Sequence, residues 1–444
     1  MQKETQREAS KRASAPNAKR DVVMLAVLAL VVRLAWLRWG AWMQNDVWEY
    51  LRLARNLVFH GVFSLSDGSV AGAAGGFAPT AFRPPLFPAL IAALWWGEGE
   101  PVRAVLVANV VLGVLTVALV YFIARDKFNR ATALIAGAAL TFAPMTCWFT
   151  VTVLTETLFT FLATCGIFCW GRWRYALAGA AFGLAALTRP AILPFLVGVA
   201  LLPLLPLVST WRVKWRGHAL LLLVALAVSS IWIVRNALVF DKLIPIAGSG
   251  WGTNLLCGTL ETDIGGRVWT GTEWAALNLK THPGTRVDEN LSEAEGDRVR
   301  MRRALERIAA DPVQWFVVRA RQYPKLFIDN GDYLLGAANL PLREAVRARR
   351  FSVVIVKTVF IGSNLLVMAL AALGVWFERA RFVELSHIVL FPLYGCLVHL
   401  PMWIEPRYFL PMMPAVFILA ARAAGVIKGW GQHASRNARQ NTRT

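Results

Sequence analysis

Residues 102–130 read VRAVLVANVVLGVLTVALVYFIARDKFNR, and this stretch contains the pattern that determines the fold. Its first 22 residues form a long apolar run, and about 20 such residues in a helix cross a bilayer. The run is followed directly by Arg125, Lys127 and Arg130. Positive charges beside a span are typical of a cytoplasmic loop. The stretch therefore predicts one transmembrane helix and its orientation.

Similar apolar runs recur along the chain. They lie at residues 22–42, 102–123, 131–146, 152–170, 175–188, 190–209, 218–240, 352–376, 385–402 and 408–427. The first run is too long for a signal peptide and lacks a cleavage pattern, so it is interpreted as a retained span. Together the runs predict an all-α polytopic membrane protein with about ten transmembrane helices.

The composition and the position of the charges exclude two classes of protein. The 444 residues are 57% hydrophobic and 17% charged, whereas soluble domains are about 45–50% apolar and about 25% charged. An ordinary soluble enzyme is therefore excluded. The net charge is +20, and the tails and the short loops on one side of the spans hold 21 Lys and Arg against six Asp and Glu. This asymmetry follows the positive-inside rule, so we predict a lipid bilayer and no nucleic acid as a partner.

The same rule predicts how the chain is organised. It predicts a multi-pass protein of the plasma membrane, or bacterial inner membrane, with both termini in the cytoplasm. The predicted parts are a disordered basic tail at 1–20, an N-terminal transmembrane module at 21–240 with a first outer loop at 43–100, a small outer cap at 241–350, C-terminal transmembrane helices at 351–427, and a cytoplasmic tail at 428–444.

The first outer loop opens on a segment with two interpretations. From Asn45 to Gly61 the apolar residues follow helical spacing, which predicts an amphipathic helix in the membrane interface. Asp46 and Glu49 fit a helix cap and a capping box at its start. Alternatively, Asp46 is a carboxylate at the membrane surface, where burial and a neighbouring anion raise its pKa for general-base chemistry.

Arg83 and several other charged residues fall on the same face of the membrane. Arg83 precedes two prolines, which favour an extended conformation there. It either offers a planar fork to a phosphate or anchors the loop to lipid headgroups. Other ionisable residues at helix ends on this face are Glu156, Arg189, Arg235, Glu405 and Arg407. Each alone fits a snorkelling anchor or an interhelical pair, but their convergence indicates a site for an anionic lipid-linked substrate.

These segments together resemble the GT-C superfamily of glycosyltransferases that use polyprenyl-phosphate-linked sugars, in the branch of the protein O-mannosyltransferase-like enzymes and the lipid A aminoarabinose transferase. The matching segments are Asp46-x-x-Glu49-Tyr50, Arg83-Pro84-Pro85 with Pro88, Arg125-x-x-Phe128 with Pro144, Thr155-Glu156-x-x-Phe159, Gly179 and Gly183 before Leu187-Thr188-Arg189-Pro190, Trp232-x-x-Arg235-Asn236, and Glu405-x-Arg407-Tyr408 with Pro411 and Pro414. The chain departs from the family at Ile231, where proline is common.

The resemblance implies a GT-C fold and transfer of a sugar from a polyprenyl-phosphate carrier to an acceptor hydroxyl on the outer face, with inversion expected. It implies Asp46 as the catalytic base, Arg83 as the contact to the carrier phosphate and Glu156 as a residue that positions acceptor or sugar. The predicted substrate-binding set also contains Glu49, Arg189, Arg235, Glu405, Arg407 and Tyr408. The implied partners are the polyprenyl-phosphate-linked donor and a lipid, glycan or protein acceptor.

The sequence leaves metal binding open. No cofactor is required by the pattern, and Asp46, Glu49 and Glu156 could share a divalent cation, although no ligand spacing demands one. His282, His387 and His399 have no companion at metal-ligand spacing and are interpreted as packing or hydrogen-bonding residues.

Two other classes of function are alternatives. A transporter or flippase of a polyprenyl-linked glycan needs ionisable groups along both halves of a path, but charges within the spans are scarce and Arg33 is the main one. No internal repeat is evident, which also disfavours repeat-built transporters. A structural membrane subunit leaves Arg83 and the facing acids unexplained.

Overall fold

The computed structural model describes residues 2–39, 45–69, 74–204, 215–248, 250–260, 292–335 and 339–441. The α-helices in these ranges are α1 (Gln2–Trp36), α2 (Asn45–His60), α3 (Leu86–Ala93), α4 (Val102–Lys127), α5 (Arg130–Phe142), α6 (Pro144–Thr150), α7 (Glu156–Gly171), α8 (Tyr175–Thr188), α9 (Leu193–Leu201), α10 (Trp215–Phe240), α11 (Trp251–Leu260), α12 (Glu293–Ala310), α13 (Pro312–Gln322), α14 (Asp332–Leu335), α15 (Leu342–Arg347), α16 (Phe351–Phe377), α17 (Ser386–His399) and α18 (Met413–Asn441).

Short 3₁₀ helices connect several of these elements. They lie at Leu37–Trp39, Ala74–Gly76, Pro190–Ile192, Leu202–Leu204, Tyr323–Leu326, Arg379–Arg381 and Pro406–Met412. The described ranges contain no β-strand, and an isolated antiparallel bridge joins Ser64 to Pro79. The predicted all-helical fold is therefore confirmed.

Four helices are long and apolar enough to cross a membrane: α4, α10, α16 and the stretch Pro406–Trp430. The pair α5 and α6, bent by 57° at the break before Pro144, is a fifth candidate. The remaining apolar helices are shorter: α7, α8, Pro190–Leu204 and α17. The predicted number of ten spans is not confirmed in the described part of the chain. A run of apolar residues indicates burial in lipid, but it does not reveal where a proline or a charge ends the helix.

Both tails continue the helices beside them. Residues 2–20, predicted to be disordered, are helical and continuous with the first apolar run in α1. The C-terminal tail likewise continues α18 as far as Asn441. Ala, Lys, Arg, Gln and Glu are good helix formers, and a helix already formed in the membrane supplies the nucleus that an isolated tail lacks.

The positively charged loops meet at one end of the helix bundle, which we call the basic end. Contacts across these loops join Arg130 to Asp21 at 2.7 Å, Arg172 to Asp126 at 2.7 Å, the Arg381 guanidinium to the Lys127 carbonyl at 3.1 Å, and Arg422 to Glu378 at 2.5 Å. Loops that the sequence assigns to one side of the membrane are therefore on one side of the structure.

Two of the shorter helices end away from the basic end. From the basic end, α7 extends over 16 residues to Glu156, and α8 extends over 14 residues to Thr188. At about 1.5 Å per residue they are about 24 Å and about 21 Å long, whereas the hydrocarbon core is about 30 Å thick. Both helices are therefore shorter than a full membrane span.

The predicted outer segment contains a small packed unit of helices. Leu255 and Leu256 of α11 bury against Ala304 of α12. At the start of α11 the carboxylate of Asp297 accepts hydrogen bonds from the backbone N–H groups of Gly250 (3.0 Å) and Gly252 (2.9 Å). Residues 261–291 of this segment lie outside the described part of the chain.

A glycine contact between α16 and α18 gives a test of this packing. A Cβ atom at Gly374 would lie 2.2 Å from the carbonyl oxygen of Leu419, whereas a Cβ atom at Gly362 would meet nothing within 4 Å. We expect Gly374→Ala to lower stability by about 1–3 kcal/mol, because the two helix backbones must separate. Thermal unfolding in detergent measures the effect. Gly362→Ala on the same helix is the control, and equal midpoints for the two variants would contradict the packing.

Candidate active site

Arg83 joins the two acidic residues at the start of α2. Its Nη2 atom donates to Asp46 Oδ1 at 2.9 Å, and its Nε atom donates to Glu49 Oε2 at 2.6 Å. Helix α2 begins at Asn45, one residue before Asp46. The two carboxylates therefore bind a guanidinium in the structure, which differs from the capping interpretation of Asp46 and Glu49.

The geometry of α2 explains why both acids face Arg83. Residues three apart on a helix lie on the same side, and Val47, Tyr50, Leu51 and Ala54 bury the adjacent side of α2 in the core. The Arg83 guanidinium also lies over the ring of Tyr50, at 5.4 Å from its centroid. The amphipathic pattern of the loop thus determines which residues meet the arginine.

Charge pairing keeps both partners ionised. Burial alone would raise the pKa of Asp46, but the guanidinium groups of Arg83, Arg407 and Arg189 outweigh it and hold the pKa below its usual value. Burial would lower the pKa of Arg83, but Tyr50, Asp46 and Glu49 raise it above its ordinary value. Without a ligand, Asp46 is therefore an anion at neutral pH and only a weak base.

A second ion pair joins the start of α7 to the end of α8. Glu156 is the first residue of α7 and is 1% exposed. Arg189 Nη2 donates to Glu156 Oε1 at 2.5 Å, and Arg189 Nε donates to Thr155 Oγ1 at 2.8 Å. A carboxylate at a helix N-terminus is also favoured by the helix dipole. The other oxygen, Glu156 Oε2, is buried and has no hydrogen-bond partner among the described residues.

Pro190 explains the position of Arg189. The residue before a proline avoids the helical region, and Arg189 has φ −146° and ψ 109°, which ends α8. Glu405 shows the same effect before Pro406, with φ −129° and ψ 143°. In both cases the residue before a proline is extended and its charged side chain lies in the cluster.

Arg407 connects the two ion pairs. Its Nη1 atom lies 3.6 Å from Asp46 Oδ2 and 4.0 Å from Glu156 Oε1, while its Nε atom lies 2.5 Å from Glu405 Oε2. The structure thus brings Asp46, Glu49, Arg83, Glu156, Arg189, Glu405 and Arg407 into one cluster at the end opposite the basic end.

Aromatic side chains line the same cluster. The Arg407 guanidinium lies 5.6 Å from the Tyr408 ring centroid, and Tyr408 stacks on His399 at 5.5 Å. His399 and Thr155 were not predicted as site residues. The position of His399 at the end of α17, close to Pro401, is the signal that could have identified it.

Arg235 differs from the other predicted site residues, because it donates to the backbone of a loop and to the neighbouring Asn236 side chain. Its Nη1 atom donates to the carbonyl oxygen of Thr80 at 2.9 Å. The guanidinium lies 4.6 Å from the Trp232 ring centroid. Arg235 therefore holds the segment that precedes Arg83.

The arrangement does not fit the divalent cation that the sequence left open. Arg83 holds Asp46 and Glu49, and Arg189 holds Glu156. The described residues contain no group of three or more His, Cys, Asp or Glu side chains that could hold a metal ion. A cation between these carboxylates would have to displace guanidinium groups that already neutralise them.

Comparison with known proteins identifies the fold. Residues 82–234, about a third of the chain, match the family model described as dolichyl-phosphate-mannose-protein mannosyltransferase. The apo crystal structure of the oligosaccharyltransferase from Archaeoglobus fulgidus is similar with a TM-score of 0.52 and 16% identity, over 95% of this chain and 52% of that chain. The chain has a GT-C-like fold. The family match includes Arg83, Glu156 and Arg189.

Other solved structures resemble this chain. The Archaeoglobus fulgidus enzyme in complex with Zn and sulfate has a TM-score of 0.52 and 15% identity, over 92% of this chain and 49% of that chain. ArnT from Cupriavidus metallidurans, bound to undecaprenyl phosphate, has a TM-score of 0.42 and 17% identity, over 91% of this chain and 77% of that chain. The chain spans about half the length of the archaeal oligosaccharyltransferase. No curated protein sequence matches it.

The ion pair of Glu156 and Arg189 predicts a non-additive effect of substitutions on stability. Arg189→Gln leaves Glu156 buried without its guanidinium, and we expect a loss of about 3 kcal/mol. The double variant Glu156→Gln with Arg189→Gln removes both charges and should recover much of that loss. Thermal unfolding of the single and double variants measures the coupling. Simple addition of the two single effects would show that the pair does not interact.

Proposed function

We propose that the protein is a membrane glycosyltransferase that transfers a sugar from a polyprenyl-phosphate carrier to an acceptor hydroxyl on the outer face of a membrane. The observation that supports this most directly is Asp46, an acid that lies between the guanidinium groups of Arg83 and Arg407. A phosphate leaving group and a base are needed together in such a reaction, and this arrangement offers contacts for both.

The position of the cluster supports a donor carried by lipid. The cluster lies where the apolar helices α7 and α8 end, away from the basic end, so in this proposal a phosphate on a polyprenyl chain reaches it from the bilayer. The match to a family described by its dolichyl-phosphate-mannose donor supports the same class of substrate. Arg83 and Arg407 bind the carrier phosphate in this proposal, because planar guanidinium groups recognise phosphate oxygens through paired hydrogen bonds.

The proposed reaction is a single displacement at the anomeric carbon. Asp46 takes the proton of the acceptor hydroxyl, and the acceptor oxygen forms a bond to the anomeric carbon. The bond from that carbon to the phosphate oxygen breaks, and its electron pair stays on the carrier phosphate. Arg83 and Arg407 stabilise this growing negative charge. Attack opposite to the leaving group gives inversion.

Donor binding also makes Asp46 a stronger base. In the resting cluster its pKa is lowered, with Arg83 first among the charges that lower it. A phosphate that takes over the hydrogen bonds of Arg83 removes this stabilisation and brings a second negative charge close to Asp46. Both changes raise the pKa of Asp46 towards the range that suits a general base.

Glu156 binds acceptor or sugar hydroxyls in this proposal. Its Oε1 atom is occupied by Arg189, whereas its buried Oε2 atom lacks a partner among the described residues and is therefore free to accept a hydrogen bond. Glu49 holds Arg83 in place, and Glu405 holds Arg407. Tyr408 and His399 add an aromatic wall of the kind on which a sugar packs.

The charge distribution supports the outer face of a plasma membrane as the location of the site. The basic end carries the loops that the positive-inside rule assigns to the cytoplasm, and the acid and arginine cluster is at the other end. A transporter would need polar groups that continue towards the basic end. Arg33 is buried in α1, and its Nη1 atom donates to the carbonyl oxygen of Ala29 in the same helix at 3.4 Å. These features favour the enzyme.

Substitutions of the base and of the phosphate ligand test the proposal. We expect Asp46→Asn and Arg83→Ala each to lower sugar transfer at least about 100-fold, because a base and a charge-stabilising group are removed. Transfer from a radiolabelled polyprenyl-phosphate sugar in membranes is the measurement. Asp67→Asn and Arg55→Ala, two exposed residues of the same outer loop, are the matched controls.

Full activity in folded, membrane-inserted Asp46→Asn and Arg83→Ala would contradict these roles. Movement of a fluorescent polyprenyl-linked glycan across reconstituted vesicles, without any sugar transfer, would instead indicate the transporter. Mass spectrometry of envelope lipids, glycans and proteins from cells with and without the gene identifies the acceptor.

The pairing of the carboxylates with arginines predicts how the enzyme responds to loss of metal ions. We expect sugar transfer to persist in the presence of a chelator such as EDTA, because Asp46, Glu49 and Glu156 already have guanidinium partners. Initial rates with EDTA, and with EDTA followed by Mg²⁺ or Mn²⁺, measure this. A loss of activity that either metal restores would contradict the prediction.

A further inference from the structure

Glu293 links the predicted outer cap to the segment that precedes Arg83. It is the first residue of α12. Its Oε1 atom accepts a hydrogen bond from Thr80 Oγ1 at 2.5 Å, and its Oε2 atom accepts one from the backbone N–H of Ala81 at 3.0 Å. One carboxylate therefore holds two consecutive residues that lie three and two positions before Arg83.

The same two residues are held from other directions. The carbonyl oxygen of Thr80 accepts a hydrogen bond from Arg235 at 2.9 Å. The carbonyl oxygen of Ala81 accepts one from the backbone N–H of Gly248 at 2.8 Å. Thr80 and Ala81 are buried, at 3% and 1% exposure. The carbonyl of Thr80, the N–H of Ala81 and the carbonyl of Ala81 are thus paired with Arg235 of α10 and with Glu293 and Gly248 of the outer segment.

This clamp determines where the Arg83 guanidinium can reach. After Ala81 only Phe82 separates the clamp from Arg83, and Pro84 and Pro85 fix the chain on the other side. Arg83 in turn donates to Asp46 and Glu49. A shift of the clamped backbone would move the guanidinium away from the place where a phosphate must lie, and misplacement by about 1 Å is costly in catalysis.

We infer that Glu293 is a positioning residue, which places Arg83 for the donor phosphate by holding Thr80 and Ala81 from the cap. The inference rests on the proposed function for the meaning of Arg83, and the clamp itself is independent of it. Glu293 does not act on substrate in this proposal. Its effect passes through the backbone of two residues.

Matched control variants exist both for Glu293 and for Thr80. Glu295 lies two residues after Glu293 in the same first turn of α12, but it binds Lys242 and Ser292. Its contacts are with the cap and the adjoining loop, so Glu295→Ala perturbs the helix start without removing a contact to Thr80. On the other side, Thr80→Ser keeps the hydroxyl that Thr80→Val removes.

Kinetics with the full-length protein in membranes test the inference. We expect Glu293→Ala and Thr80→Val each to raise the KM for the polyprenyl-phosphate sugar about tenfold, because a hydrogen bond to a charged group is lost, while the KM for the acceptor stays near that of the wild type. Glu295→Ala and Thr80→Ser should remain near the wild type. Equal increases of both KM values, or Thr80→Ser as impaired as Thr80→Val, would overturn the inference.

Amide hydrogen exchange separates failure of the inference from failure of the proposed function. Glu293→Ala should speed exchange in a peptide covering residues 78–83, since the N–H of Ala81 loses its acceptor, and Glu295→Ala should not. Unchanged exchange in Glu293→Ala overturns the clamp, whatever the activity. If the wild type transfers no sugar and yet Glu293→Ala speeds exchange, the clamp stands and the glycosyltransferase proposal fails.

Discussion

A buried charged side chain is costly unless it is paired, and the ion pairs that meet this requirement tie distant segments of the chain together. Glu156 and Arg189 join the start of α7 to the end of α8. Arg83 joins the end of the first outer loop to its beginning at Asp46. Arg407 brings the C-terminal part of the chain to both pairs. Segments far apart in sequence meet because an unpaired ion in a low-dielectric region is very unfavourable.

Prolines determine the backbone conformation at several of these charged residues. Arg83, Arg189 and Glu405 each stand immediately before a proline. Arg189 and Glu405 are extended as a result, and α8 ends where its charge is needed. The Arg189 side chain reaches Glu156 at the start of α7, so the end of α8 and the ion pair are set by the same proline.

The sequence predicted a large part of this arrangement because hydropathy and charge are local properties. The helical class, the basic end and the residues of the cluster all follow from apolar runs, loop charges and charges next to prolines. The number of spans does not, because a run such as 152–170 is apolar throughout most of its length and yet α7 starts only at Glu156. The sequence also did not predict which charged residues pair with each other. Nothing local indicates that Arg83 binds Glu49, or that Arg235 instead binds the Thr80 carbonyl.

The pairing also bears on how a glycosyltransferase with this cluster would avoid wasteful chemistry. In the described residues the cluster has four carboxylates and three guanidinium groups: Asp46, Glu49, Glu156 and Glu405 against Arg83, Arg189 and Arg407. Each guanidinium already has an acid, so a donor phosphate must compete with a carboxylate that is tethered beside it. In the proposed reaction the competition weakens donor binding, but it couples two events, because Asp46 is the acid that Arg83 and Arg407 share. In this proposal Asp46 becomes a strong base only when the donor phosphate is bound. Before that, Asp46 does not activate an acceptor hydroxyl or a water molecule.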